Sequence, residues 1–156
     1  MAEMNYRLIV SDFDGTLRKT EGGISDGNIG AIEDYIAAGG VFAFCTGRIL
    51  TSIMPYAKQL GLKGLVVAYQ GAVIADIESG KLLRDVRMDA EGAAGVCDYL
   101  QELGRHIHVY DGKDVYMNRD DEYKRYYEKV CGVSGILTGE DVASVVREKG
   151  IRPQKV

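Results

Sequence analysis

Two carboxylates stand two residues apart at the end of an apolar run, in the stretch Leu8-Ile9-Val10-Ser11-Asp12-Phe13-Asp14-Gly15-Thr16-Leu17. In an extended chain, positions i and i+2 lie on the same side, so Asp12 and Asp14 are expected to bring like charges to one place. Such a pair repels unless a cation sits between the two acids or one of them takes up a proton. Hard oxygen ligands at the mouth of a sheet suit Mg²⁺. Gly15 lets the backbone turn sharply and bring N–H groups close to an anion. These residues therefore point to a metal-assisted phosphate site. The plainer alternative is that Asp12, Asp14 and Gly15 only end a strand and open a turn.

A second stretch could share that chemistry. The apolar residues 41–45 run into Thr46-Gly47-Arg48. A hydroxyl and a glycine N–H can donate to a phosphoryl oxygen, and the Arg48 guanidinium can add a charge-assisted bond. Alternatively, Thr46 and Gly47 only cap the helix that follows.

Both stretches must be placed by strands, because ligands gather at the carboxyl ends of strands in an open α/β sheet. Residues 6–11 read as a first strand whose continuous apolar character suits a central strand buried on both faces. A polar loop over residues 18–23 leads away from it. Ser25 is expected to cap a helix carrying Ile29, Ile32, Tyr35 and Ile36, with Gly39-Gly40 as its stop. Residues 41–45 form the second strand, and this order implies a right-handed crossover between parallel strands. The next helix is expected to be capped near Thr51 or Ser52, with Pro55 in its first turn. Leu65–Ala68 reads as a third strand, Tyr69-Gln70-Gly71-Ala72 as a turn, and residues 73–77 and 82–86 as a hairpin.

From Asp85 the pattern changes, which divides the chain into residues 1–84 and 85–156. Asp89 caps a helix with Ala93, Val96, Cys97, Leu100 and Leu103 inside and Gly104 as its end. Two short strands follow at residues 106–110 and 115–118. A helix opens at Asp120 or Asp121. Its stripe of Tyr123, Tyr126, Tyr127 and Val130 reads as the core of a helix–sheet layer rather than as the wall of a substrate cavity. Thr138 is expected to cap a last helix holding Val142, Val145 and Val146, with residues 151–156 beginning a strand. His106 and His108 share one side of a strand. With no third ligand placed nearby, they read as packing or surface residues rather than as a metal pair.

The chain of 156 residues has the length of one ordinary domain or two small ones, with 46% hydrophobic and 27% charged residues. A net charge of −4 and a pI near 5.2 give no reason to expect nucleic acid or an anionic membrane as partner. Cys45, Cys97 and Cys131 are far apart and odd in number, so neither a disulfide framework nor a metal cluster is expected. The residues around Met1-Ala2-Glu3-Met4 lack a cationic lead into a long apolar run, so no signal peptide is expected. No apolar run approaches a membrane span. A cytoplasmic location is the expectation.

The string Asp12-Phe13-Asp14-Gly15-Thr16-Leu17 resembles motif I of the haloacid dehalogenase (HAD) superfamily, and Phe44-Cys45-Thr46-Gly47-Arg48, one crossover later, resembles motif II. Together with Ala68-Tyr69-Gln70-Gly71-Ala72-Val73-Ile74, the chain resembles the N-terminal part of the Cof-type branch of the HAD phosphatases. Members of that branch usually carry Asn-Gly where this chain has Gln70-Gly71. The resemblance implies an α/β fold: a Rossmann-like parallel sheet with helices on both faces, as a partial core over residues 1–84. A partial α/β cap over residues 85–156 would follow it.

The resemblance also implies a Mg²⁺-dependent phosphoric monoester hydrolase acting on small phosphorylated metabolites of the sugar phosphate class. Asp12 would be the nucleophile, forming an aspartyl-phosphate, and Asp14 the general acid and then general base. The Asp12 carboxylate and the Asp14 carbonyl would hold the metal, and Gly15, Thr46, Gly47 and Arg48 would hold the phosphoryl oxygens. Family members later supply a phosphate-binding Lys and a G-D-x-x-N-D motif; this sequence reaches Pro153-Gln154-Lys155-Val156 without either. The strands that flank the first strand on its other side belong to that later part. The first strand is therefore expected at an edge, open to pairing in a homo-oligomer. Two functional expectations follow. One is a phosphatase whose half-length chain works weakly or with a complementing chain; the other is a non-catalytic phosphate- or metal-binding remnant.

Overall fold

The structure, a computed structural model, describes residues 5–19 and 22–156. The reading of the N-terminus as leaderless falls largely on residues 1–4, outside the described residues, as do Thr20 and Glu21 of the polar loop. Contacts divide the chain into two compact units, Met1–Arg48 with Ile53–Arg84, and Ile49–Ser52 with Asp85–Val156.

The first unit opens with β1 (Leu8–Ser11), α1 (Asp26–Ala37) and β2 (Val41–Phe44). β1 and β2 pair in parallel, with Leu8 opposite Val41 and Ser11 opposite Phe44. The Ser25 hydroxyl accepts from the Asn28 amide and caps α1, satisfying one of the donors a helix start leaves open. Next come α2 (Leu50–Gln59), whose residues from Ile53 on belong to this unit, and β3 (Leu65–Ala68), and a parallel bridge between Cys45 and Val67 joins β3 to the end of β2. A 3₁₀ turn over Tyr69–Gly71 leads into β4 (Val73–Asp76), which runs antiparallel to β3, and β5 (Leu82–Asp85) adjoins β4.

Phe42, Ala43 and Phe44 of β2 are buried, as are Val66 and Ala68 of β3. β1 is not. Leu8 is 56% and Val10 52% exposed, against the expectation of a strand covered on both faces. The reason is pairing: among the described residues β1 has β2 as its one neighbour. α2 also starts earlier than expected, because Ser52 N–H already closes a turn on the Ile49 carbonyl at 3.0 Å. Pro55 is consequently the sixth residue of the helix rather than part of its first turn. It and Thr51, whose carbonyl loses a donor to it, are both exposed, so water meets the unpaired group.

The second unit comprises α3 (Ala90–Glu102), β6 (His108–Asp111), β7 (Asp114–Met117), α4 (Glu122–Cys131), β8 (Ile136–Leu137) and α5 (Val142–Lys149). β6 and β7 form an antiparallel hairpin, and β8 pairs in parallel with β7. Its core joins Ala93, Ala94 and Cys97 of α3 to Val142, Ala143 and Val146 of α5, over Ile107 and Val109. Burial pushes the Cys97 thiol up to about 11, as for a small core side chain.

Four expectations change in this unit. Val96 and Leu103, expected inside α3, are 40% and 49% exposed. α5 is capped by Asp141, whose carboxylate accepts from Ser144 N–H. Thr138 instead donates its hydroxyl to the Met117 carbonyl, because the preceding Ile136 and Leu137 have joined the sheet. The tyrosine stripe is not a core: Tyr123 and Tyr126 are each 61% exposed, and α4 has no fully buried residue. Residues 151–156 add one antiparallel bridge, Lys155 to Tyr110, rather than a strand. No helix among the described residues is long and apolar enough to cross a membrane.

Candidate active site

The Cys45 amide donates to the Ser11 carbonyl at 2.9 Å, so β1 and β2 stay in register to their carboxyl ends. Asp12 and Thr46 are the next residues out. Phe13, between the two acids, is fully buried; its ring lies edge-on to Phe44 at 5.3 Å and tilted against Tyr56 at 4.7 Å. Anchoring the middle residue turns the flanking Asp12 and Asp14 outward, and both are exposed. The chain then folds back, with Leu17 and Arg18 both donating to the Phe13 carbonyl at 3.1 and 2.8 Å.

Gly15 takes φ 77° in this turn, a conformation that suits glycine. Its N–H donates to the Arg18 carbonyl at 2.9 Å. Gly15, near which backbone N–H groups are expected to meet the phosphoryl oxygens, has its own amide in the turn. Asp12 accepts one bond, from the Thr16 hydroxyl to Oδ2 at 3.0 Å.

Asp14 is held quite differently. Arg48 reaches it with Nε to Oδ2 at 2.6 Å and Nη2 to Oδ1 at 2.8 Å, and Arg18 adds a longer contact at 3.4 Å. Arg48 is itself buried, its guanidinium 4.9 Å from the Phe13 ring centre and 5.7 Å from that of Tyr56. Two parallel N–H bonds to one carboxylate are the strong form of this pair. The hydrogen bond from Arg48 holds the Asp14 carboxyl below its usual range, against an opposing push from burial. The fork of Arg48, a residue expected on a phosphoryl oxygen, lies on Asp14 in this structure. The repulsion foreseen between two bare acids is relieved by arginine on one of them.

Thr46 is buried, with its N–H on the Val67 carbonyl at 3.0 Å. Its hydroxyl oxygen accepts from Arg48 N–H at 3.2 Å, which leaves the hydroxyl hydrogen to donate elsewhere. Gly47 lies under Gln70: a Cβ on Gly47 would stand 3.3 Å from Gln70 Cγ. Tyr69 and Gln70 adopt φ 50° and 55°, each costing on the order of 1–3 kcal/mol for residues other than glycine. Nothing in the types Tyr and Gln announces that conformation, and only the following Gly71 hints at an unusual turn.

Among the described residues, no group of three or more His, Cys, Asp or Glu side chains converges as a metal cage. Mg²⁺ does not need one, since it keeps several waters and takes one or two carboxylates plus substrate phosphate. With Asp14 occupied by Arg48, the Asp12 carboxylate is the acidic donor at the end of β1. A donor set of one carboxylate, backbone carbonyls and water fits this ion.

In the second unit His106 and His108 bond each other, Nε2 to Nε2 at 2.7 Å. His106 Nδ1 lies 2.9 Å from Asp121 Oδ2. His108 Nδ1 pairs with the Tyr110 hydroxyl at 3.0 Å. Burial drives His108 down to about 4, helped by the neighbouring His106 and Lys155. His106, His108, Tyr110 and Lys155 line an open cavity of about 630 Å³ with Tyr123 and Tyr127. The helical tyrosines face it rather than a core.

Comparison with known proteins places this architecture among the α/β hydrolases built on a Rossmann-like sheet. Residues 9–135 match the haloacid dehalogenase-like hydrolase family, and the chain belongs to that family. It is 30% identical over 110 residues to the phosphatase YwpJ of Bacillus subtilis, covering 70% of this chain and 38% of that protein. A haloacid dehalogenase-like hydrolase from Bacteroides thetaiotaomicron superposes with a TM-score of 0.74 at 24% identity, over 85% of this chain and 52% of the other. The HAD subclass IIB sugar phosphatase BT4131 gives a TM-score of 0.74 at 19% identity, over 89% and 55%. These two likenesses are of fold. The chain spans less than half the length of the curated relatives it matches.

Proposed function

We propose that this chain carries the nucleophile half of a cytoplasmic Mg²⁺-dependent phosphatase for small phosphorylated metabolites. Residues 1–84 act as the core, and residues 85–156 open a substrate-selecting cap. The observation that carries the reading is the exposed Asp12 carboxylate directly past the end of β1, with Thr46 two residues past the end of β2, the parallel strand next to it. Asp12 attacks the phosphoryl group, the ester P–O bond breaks, and water later cleaves the aspartyl-phosphate to regenerate the carboxylate. The Thr46 hydroxyl and the Gly47 backbone hold phosphoryl oxygens, and Thr16 orients the nucleophile. Asp14, held by Arg48, gives its proton to the leaving alkoxide after it has taken one up, then receives one from the attacking water. The Asp12 carboxylate and the Asp14 carbonyl would hold Mg²⁺, which would supply positive charge against the repulsion between phosphate and carboxylate. Sugar phosphates are the substrate class, by analogy with the named sugar phosphatase of like fold.

A second reading, phosphate binding without turnover, is favoured by the Asp14–Arg48 pair, since a carboxyl held ionised has no proton to donate. Hydrolysis of an aryl phosphate by the 156-residue chain, with Mg²⁺ and with EDTA, beside Asp12→Asn, separates the two. Metal-dependent turnover lost in Asp12→Asn supports the phosphatase. A folded chain that binds inorganic phosphate but turns over no faster than the variant establishes the second reading.

A further inference from the structure

The geometry points to Gln70 as a positioning residue, one that accepts a strained backbone to hold the Thr46-Gly47-Arg48 loop in shape. Three successive residues take positive φ: Tyr69 at 50°, Gln70 at 55° and Gly71 at 98°. Only the third is a glycine. Left-handed backbone at two adjacent bulky residues persists only where the surroundings over-determine it, and here they do. Tyr69 N–H donates to the Arg48 carbonyl and Gln70 N–H to the Thr46 carbonyl, each at 3.0 Å. The turn therefore grips the loop at both ends.

Between those two bonds the Gln70 side chain lies across Gly47. A Cβ at Gly47 would meet Gln70 Cγ at 3.3 Å, and Cδ and Nε2 at 3.6 Å. The stem and carboxamide of Gln70 thus fill the space above the α-carbon that the missing side chain leaves open. The loop so held carries the Thr46 hydroxyl and the Arg48 guanidinium, and Arg48 in turn fixes Asp14. Gln70 acts on the anion site through this loop, without touching the substrate. Asn is the residue other than glycine that most readily accepts a left-handed conformation, but it is one methylene shorter and would reach less far across Gly47. Strain and reach are therefore in opposition at this position.

The functional half of the inference rests on the phosphate-site reading above; the positioning half does not. The test compares Gln70→Gly, Gln70→Asn, Gly47→Ala and the double variant Gly47→Ala/Gln70→Gly. Readouts are thermal unfolding, amide hydrogen exchange at Gly47 and Arg48, and inorganic phosphate titration followed by NMR. Relief of strain raises the melting temperature of Gln70→Gly by about 2–4 °C. In the same variant the Gly47 and Arg48 amides exchange on the order of tenfold faster, and phosphate binds about 3–10-fold more weakly. Gln70→Asn falls between. Gly47→Ala destabilises when Gln70 is present and does so less in the double variant, which is the coupling expected of touching residues.

A purely structural residue would move stability and loop order in the same direction. Gln70→Gly leaving exchange at Gly47 and Arg48 unchanged, or lowering stability along with loop order, would overturn the inference. Wild-type protein that neither binds phosphate nor hydrolyses the aryl ester would remove the phosphate-site reading. Exchange and coupling would still decide whether Gln70 positions the loop.

Discussion

Arg48 and Asp14, 34 residues apart in sequence, meet through two hydrogen bonds of 2.6 and 2.8 Å, with the guanidinium stacked against buried Phe13. The contact ties the end of β2 to the turn after β1, and with it the two stretches that carry the candidate chemistry. Arg48 is buried while the Asp14 side chain is 43% exposed, so the arginine has most to lose if the pair is broken.

Arg48→Met should lower stability by about 1.5–3 kcal/mol, the range for a charged hydrogen bond, with Arg48→Lys in between because an ammonium cannot span both carboxylate oxygens. Urea unfolding of the three proteins checks this. A methionine variant as stable as wild type would put the pair among the surface ion pairs that contribute nothing measurable.

Phe13 sets the direction of both acids by being buried between them. Phe13→Ala should cost about 3–5 kcal/mol, while Phe13→Leu, which keeps most of the volume, should cost less than about 1.5 kcal/mol. Denaturant midpoints decide. Equal losses in the two variants would mean that the ring contacts with Phe44 and Tyr56, rather than the filled volume, hold the turn.

The histidine pair of the second unit should make stability fall in acid. His108 takes up its proton near 6.5 when unfolded and only near about 4 when folded. Between those values the unfolded chain binds more protons, so stability drops as pH falls through the window and is fully present above it. Asp121, His106, Tyr110 and Lys155 face this ring, and His108→Gln should flatten the dependence between pH 6.5 and 4. Melting temperatures across that range, wild type beside variant, test it; parallel curves would assign the acid loss to other groups.

β1 presents Leu8 and Val10 beside an edge with no strand on it among the described residues. Such an edge invites another strand. Light scattering should show association that grows with protein concentration, and Leu8→Lys/Val10→Lys should abolish it. A clean monomer at every concentration would remove the homo-oligomer from the proposal.

The features legible in the sequence are those settled within a few residues. The Ser25 and Asp89 caps stand where they were expected, and Asp121 is the one of the Asp120/Asp121 pair that caps its helix, because a side chain satisfying an amide two or three residues on needs no distant partner. The apolar runs of β2 and β3 and the hairpin of β4 and β5 follow from local pattern in the same way. Thr138 shows the limit. It is as good a cap as Asp141 by type, and what separates them is a bond to Met117, 21 residues away.

The sequence by itself determined that two acids and a Thr-Gly-Arg end neighbouring strands, and with them the family, since both follow from short strings on strongly patterned strands. Only the tertiary structure decided how those groups are used. Arg48 closes on Asp14 rather than on open space, Gly15 N–H is taken by the Arg18 carbonyl, and Tyr69 and Gln70 are bent into left-handed backbone to reach the Thr46 loop. The physical reason is competition. Each donor has several acceptors allowed by its type, and the choice depends on which of them long-range packing brings within about 3 Å.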